Sequence, residues 1–96
     1  MSKGRVIVRH KVRDFEAWKP FFYSDAKRQQ DAGCTHWYLT RNKHDKDELV
    51  VIFDCKDLDK AKTVFSDPSL TNLMKRAGVS DQPTIFFLEE VEECAL

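Results

Sequence analysis

The chain has 96 residues, with sixteen Lys and Arg balancing sixteen Asp and Glu, and 42% of its residues are apolar. That length leaves room for one domain spanning 1–96 that buries about two thirds of its unfolded surface, and the composition is that of a folding globular chain rather than a disordered one. Balanced charge gives no overall field to attract nucleic acid or an anionic membrane, the opening MSKGRVIVRH has no signal-peptide pattern, and no run approaches the roughly 20 apolar residues of a membrane span, so the expected location is the cytoplasm, with no nucleic acid and no membrane as partners.

From Arg5 to Val12 the residues alternate, with Val6, Val8, His10 and Val12 on one side and Arg5, Ile7, Arg9 and Lys11 on the other, which predicts a strand. Asp14 is a helix cap, and Phe15, Trp18, Phe22 and Ala26 follow at helical spacing until Ala32 and Gly33 close the segment. Because proline lacks an amide donor, Pro20 predicts a short turn first and a main helix starting near Lys19. Cys34 to Asn42 and Glu48 to Cys55 read as two strands of a hairpin joined by the polar turn 43–47.

Asp57 caps a helix carrying Leu58, Ala61 and Phe65. Asp67 with Pro68 restarts it, Leu70, Leu73, Met74 and Ala77 give a second apolar stripe, and Gly78 ends it. Thr84 to Val91 is the last strand. The order βαββαβ predicts an α+β, ferredoxin-like fold: a four-stranded antiparallel sheet with the first and third strands central and helices on one face. The third strand is apolar on both sides, and the fourth sets Ile85 and Phe87 against Phe86 and Leu88, so the face away from the helices needs a cover. A homodimer supplies it by burying the same patch twice; the alternative is a monomer whose hairpin or tail folds across the sheet.

Among candidate site residues, His10 ends an apolar strand face beside Phe15 and Trp18, where an imidazole can serve as general base near neutral pH or simply be a satisfied core residue. An apolar cleft lined by Trp18, Phe22, Trp37 and Tyr38 would suit a flat hydrophobic ligand. Arg9 is either an anion-seeking group or half of a cross-strand ion pair with Asp54, Glu89 or Glu90. His10, His36 and His44 do not make a metal cluster, since the third strand holds the first two of them about 10 Å apart. Cys34 and His36, expected on one face, are two ligands without a third. Cys34, Cys55 and Cys94 form no CxxC pair, and the first two read as buried structural thiols. No phosphate loop, nucleophile elbow or dinucleotide fingerprint is present, and the lack of glycine in Glu48–Cys55 argues against an RNA-recognition domain.

His10 through Trp18 and Lys19, Ala32-Gly33-Cys34, Phe53 with Ala61 and Phe65, and Ala77-Gly78-Val79 with Pro83 before Ile85 resemble the small antibiotic-biosynthesis-monooxygenase-like proteins of the dimeric α+β barrel superfamily. The resemblance covers nearly the whole chain, and its motifs are structural: caps, helix starts and apolar strand positions. It implies a dimer whose two sheets face each other as a barrel and a pocket between helices and sheet. It also implies a set of activities: cofactor-independent oxygenation of aromatic polyketides, polyketide cyclisation, haem degradation, or none assigned. The Asn, Trp and His that haem-degrading relatives use together find no convincing place on Asn42, Trp37 and His44, so no triad is carried over. The leading expectation is a cofactor-independent monooxygenase with His10 as proton acceptor. The others are a non-catalytic ligand-binding or interaction protein and a cyclase-like or haem-binding one.

Overall fold

The computed structural model describes residues 3–96 and contains β1 (Gly4–Lys11), α1 (Phe15–Ser24), α2 (Ala26–Asp31), β2 (Cys34–Asn42), β3 (Asp45–Cys55), α3 (Leu58–Phe65), α4 (Pro68–Arg76) and β4 (Thr84–Glu89). The strands form one antiparallel sheet in the order β2-β3-β1-β4, so β1 and β3 are central, as the split βαβ pattern predicts. Val6, Val8 and Val12 of β1 and Leu49, Val51, Phe53 and Cys55 of β3 are buried on the helix side, together with Leu58, Ala61, Phe65, Leu70 and Ala77 of the second helical pair. No helix among the described residues is long and apolar enough to cross a membrane.

The helix starts follow their caps. Asp14 accepts from the amides of Glu16 and Ala17, Asp57 from those of Asp59 and Lys60, and Asp67 from that of Ser69 ahead of Pro68 in the first turn. Each half ends its helices in Ala-Gly, and Gly33 (φ 82) and Gly78 (φ 88) take the left-handed conformation that ends a helix and favours glycine.

Three boundaries differ from expectation. Helix α1 starts directly after Asp14 and runs through Pro20, with no preliminary turn. Proline there removes only the amide that would meet the Glu16 carbonyl, and both residues are exposed, so water can take that bond. The break comes instead at Asp25, and it turns α2 so that Gln29 and Ala32 are buried while Ala26 is exposed. The hairpin turn shortens to Lys43 and His44, with Asn42 paired to Asp45 and the Asn42 side chain accepting from the His44 amide, so β3 begins at Asp45. Strand β4 stops at Glu89, and Val91 is exposed.

Among the described residues no helix lies on the second face of the sheet. Register places Tyr38, Ile52, Ile7 and Phe86 side by side across all four strands, one apolar row running the full width of that face. The rows beside it carry charge: Arg5 pairs with Asp54 at 3.1 Å, and Arg9 bridges Glu48 and Asp81, the latter at 2.7 Å. Arg9 is thus one partner in an ion-pair network, though Glu48 and Asp81, not Asp54, Glu89 or Glu90, provide the carboxylates. The Glu48 carboxyl is held below its ordinary range by hydrogen bonds from Asn42 and then Arg9, and that of Asp81 by the Lys11 amide foremost.

Candidate functional site

Between the helices and the sheet lies a cavity lined by Val8, His10 and Val51 from the sheet and by Trp18, Phe22 and Gln29 from α1 and α2, with α4 closing it through Leu70, Leu73 and Met74. Its volume is about 50 Å³. That holds a water or two, whereas an apolar cavity of roughly 150 Å³ takes up a single benzene ring.

An aromatic stack forms one wall. Phe15, Trp18 and Phe22 recur at three- and four-residue spacing on α1, so their rings lie over one another: Trp18 stacks on Phe22 at 4.9 Å and on Phe15 at 6.1 Å between centroids. Trp37 on the edge strand β2 meets Phe22 edge-on at 4.9 Å, and Lys19 and Arg41 sit over the Phe15 ring at 5.4 and 5.3 Å.

His10 is the polar member of this cavity. It is 2% exposed, and its ring meets Trp18 edge-on at 5.8 Å. Its Nδ1 is buried without a hydrogen-bond partner, an arrangement rare for a buried polar atom. Burial holds the imidazole below its ordinary pKa, opposed by the charge of Asp81, so the ring is neutral at pH 7. Asp25 and Gln29 bring further polar groups to the lining; burial raises the Asp25 carboxyl against the pull of Arg28, which pairs with it at 2.9 Å and also reaches Ser69 of α4 at 2.8 Å.

The lowered pKa has a consequence for stability. Unfolding frees His10 to take up a proton that the fold resists, so its contribution is complete above about pH 6.5 and is lost as pH falls from there toward the folded value. Urea midpoints of the native protein should therefore fall between pH 7 and pH 5.5 more steeply than those of His10→Gln. Equal slopes would assign the acid sensitivity to other groups.

Of the residues singled out in the sequence, the structure brings together His10, Trp18 and Phe22 in one cavity, with Trp37 packed on the outer side of Phe22. Tyr38 and Arg9 project from the opposite face of the sheet. Tyr38 pairs with Ile52 in the apolar row, its hydroxyl reaching Asp54 at 3.4 Å. Cys34 and His36 do not share a face, because a register shift between them pairs Cys34 with buried Cys55 and His36 with Asp54. Among the described residues no group of three or more His, Cys, Asp and Glu is placed to hold a metal ion. Sequence reasoning missed Asp25 and Gln29. Gln29 lies seven residues beyond Phe22, on the stripe an unbroken helix would carry inward, but an amide on that stripe does not announce itself as core.

No family model matches the chain, and no curated protein does. Solved structures do. A protein of Caulobacter crescentus CB15 named as a candidate antibiotic biosynthesis monooxygenase superposes with a TM-score of 0.73 at 20% identity, covering 95% of this chain and 92% of that one. SnoaB, a cofactor-independent oxygenase from Streptomyces nogalater, matches with a TM-score of 0.67 at 16% identity over 95% of this chain and 97% of its own. A conserved protein of Methanosarcina mazei Go1 gives a TM-score of 0.73 at 11% identity over 95% of each chain. The ferredoxin-like α+β fold of this chain is the one these structures share.

Proposed function

We propose that the chain is a homodimeric α+β barrel protein that binds a small, flat aromatic molecule against His10 and acts on it as a cofactor-independent monooxygenase. The observation that carries this reading is the buried, unpartnered Nδ1 of His10 in an aromatic-walled cavity. A neutral imidazole in an apolar-walled setting is a competent proton acceptor in the tautomer that leaves Nδ1 unprotonated, and a phenolic hydroxyl would satisfy it. Loss of that proton makes the ring electron-rich enough to react with dioxygen at an activated methylene. One oxygen atom then becomes the new carbonyl, and the other leaves as water with the two methylene hydrogens. The likeness of fold to SnoaB supports this chemistry by analogy alone.

Admitting such a molecule requires the free volume to grow. The break between α1 and α2 at Asp25 and the flexible side chains of Leu73 and Met74 are where it can do so. Oxygen uptake with a panel of phenolic substrates tests the reading. His10→Ala should lower turnover about 100-fold or more while circular dichroism stays unchanged. Equal uptake by native protein and variant would remove His10 as the base.

The small free volume favours a second reading, in which the aromatic side chains fill the space themselves and the protein works as a non-catalytic binding or interaction module. Tryptophan quenching separates the two: saturable quenching by a phenolic probe supports the binding cavity, and its absence across the panel supports the filled core.

A further inference from the structure

The Sγ atoms of Cys34 and Cys55 lie 3.3 Å apart, although the residues are far separated in sequence and belong to no cysteine motif. They face each other across β2 and β3. The amide of Lys56 donates to the carbonyl of Gly33 at 3.1 Å, which makes 34/55 a non-hydrogen-bonded pair, the narrow kind in which Cα atoms stand about 4.5 Å apart. That separation is within the roughly 4.4–6.8 Å that a disulfide bridges, and closing the bond asks the sulfurs to approach to about 2.05 Å, a side-chain rotation rather than a backbone shift. Both thiols are free, Cys34 partly exposed and Cys55 buried.

We propose that Cys34 and Cys55 are a redox modification site that a low-molecular-weight disulfide converts into a cross-strand bridge bracing edge strand β2 to β3. The difference in exposure assigns the order of events. Cys34, the reachable thiol, loses its proton and attacks one sulfur of oxidised glutathione, releasing one glutathione as thiolate and leaving a mixed disulfide on Cys34. Cys55, already in contact, then attacks the Cys34 sulfur and expels the second glutathione. The two protein thiols are oxidised, and their hydrogens and electrons end on two molecules of glutathione. Burial pushes both thiols above their ordinary pKa, so the first attack is slow at neutral pH and speeds up in mildly alkaline solution. The bridge sits on the strand that carries Trp37 to the Phe22 ring, at the outer wall of the aromatic stack.

The test uses full-length Cys94→Ser protein, since exposed Cys94 would otherwise take up glutathione itself. After treatment with oxidised glutathione at mildly alkaline pH, intact mass should show loss of a pair of hydrogens with no retained adduct, and peptide mapping should join Cys34 to Cys55. The same protein with Cys55→Ala should stop at a stable glutathione adduct on Cys34, and with Cys34→Ala it should stay unmodified. The bridged form should melt roughly 10 °C higher than the reduced form, and reductant should restore the original transition. An unmodified chain, an unresolved adduct on Cys34 in the Cys94→Ser protein, or an unchanged melting temperature on bridging would overturn the proposal.

Discussion

Gly4→Ala is expected to destabilise the fold by about 3 kcal/mol or more, a loss readable as a drop in urea midpoint at unchanged slope. Gly4 is buried at the start of β1, paired with Cys55 of β3 on one side and Glu89 of β4 on the other. A Cβ at this position would stand 2.0 Å from the Leu88 carbonyl oxygen and 2.7 Å from the Leu58 methyl. The methyl could swing away, but the carbonyl belongs to the neighbouring strand and moves only if β4 peels from β1. The requirement is for close approach between strands, not for a left-handed backbone. Gly78→Ala makes the informative contrast: its Cβ meets nothing within 4 Å, but its φ of 88° strains any side chain, so its effect should be about 1 kcal/mol. A Gly4→Ala protein as stable as the native chain would mean that β4 is held far more loosely than its register implies.

If the proposed dimer forms through the sheet face without helices, Phe86→Glu should be monomeric in solution, read by light scattering, while the far-ultraviolet dichroism stays native. Phe86 is 50% exposed in the protomer and ends the row Ile7, Ile52, Tyr38 that spans the face without helices. Arg5 and Arg9 on the flanking rows are already paired within the protomer, so neither guanidinium is free to neutralise a carboxylate placed in the apolar row. Burying it unpaired costs about 3–5 kcal/mol, and a two-fold interface meets that cost twice, which lowers association by more than about 1000-fold. A native protein that is monomeric at micromolar concentration would remove the barrel from the proposed function, and a variant that remains dimeric would move the interface elsewhere.

Much of the architecture was legible because its signals are local. Asp14, Asp57 and Asp67 are caps wherever they precede an apolar stripe, Gly33 and Gly78 end helices because little else tolerates their φ, and alternation in Arg5–Val12 places His10 inward beside the valines. The two-sided apolar character of β3 and β4 showed which face lacks a cover. What escaped reading depended on neighbours that are distant in sequence. Pro20 looks like a barrier until it and Glu16 are found exposed, where water can take the bond the proline leaves open. The Cys34–Cys55 contact needs the strand register, and the shift between Cys34 and His36 that separates those two faces has no mark in the residues themselves. Tyr38 alternates with Trp37, so only one of them could line a cleft on the helix side, and pairing with Phe53 selects Trp37. The cavity's free volume follows from how the rings of Trp18 and Phe22 stack, which spacing suggests but does not measure.

The placement of β1 between β3 and β4 has a consequence for biogenesis. Strands β1 and β3 are both available once the chain through Cys55 has left the ribosome, but the partner for the other edge of β1 is Thr84–Glu89. For the interval in which α3 and α4 are being made, Gly4 to Arg9 present an unsatisfied edge with Val6 and Val8 beside it, the kind of surface to which another strand adds. A second chain caught at the same stage would offer the same edge and lack the same strand. Exchange of β4 between them is the assembly error to which this topology is most exposed.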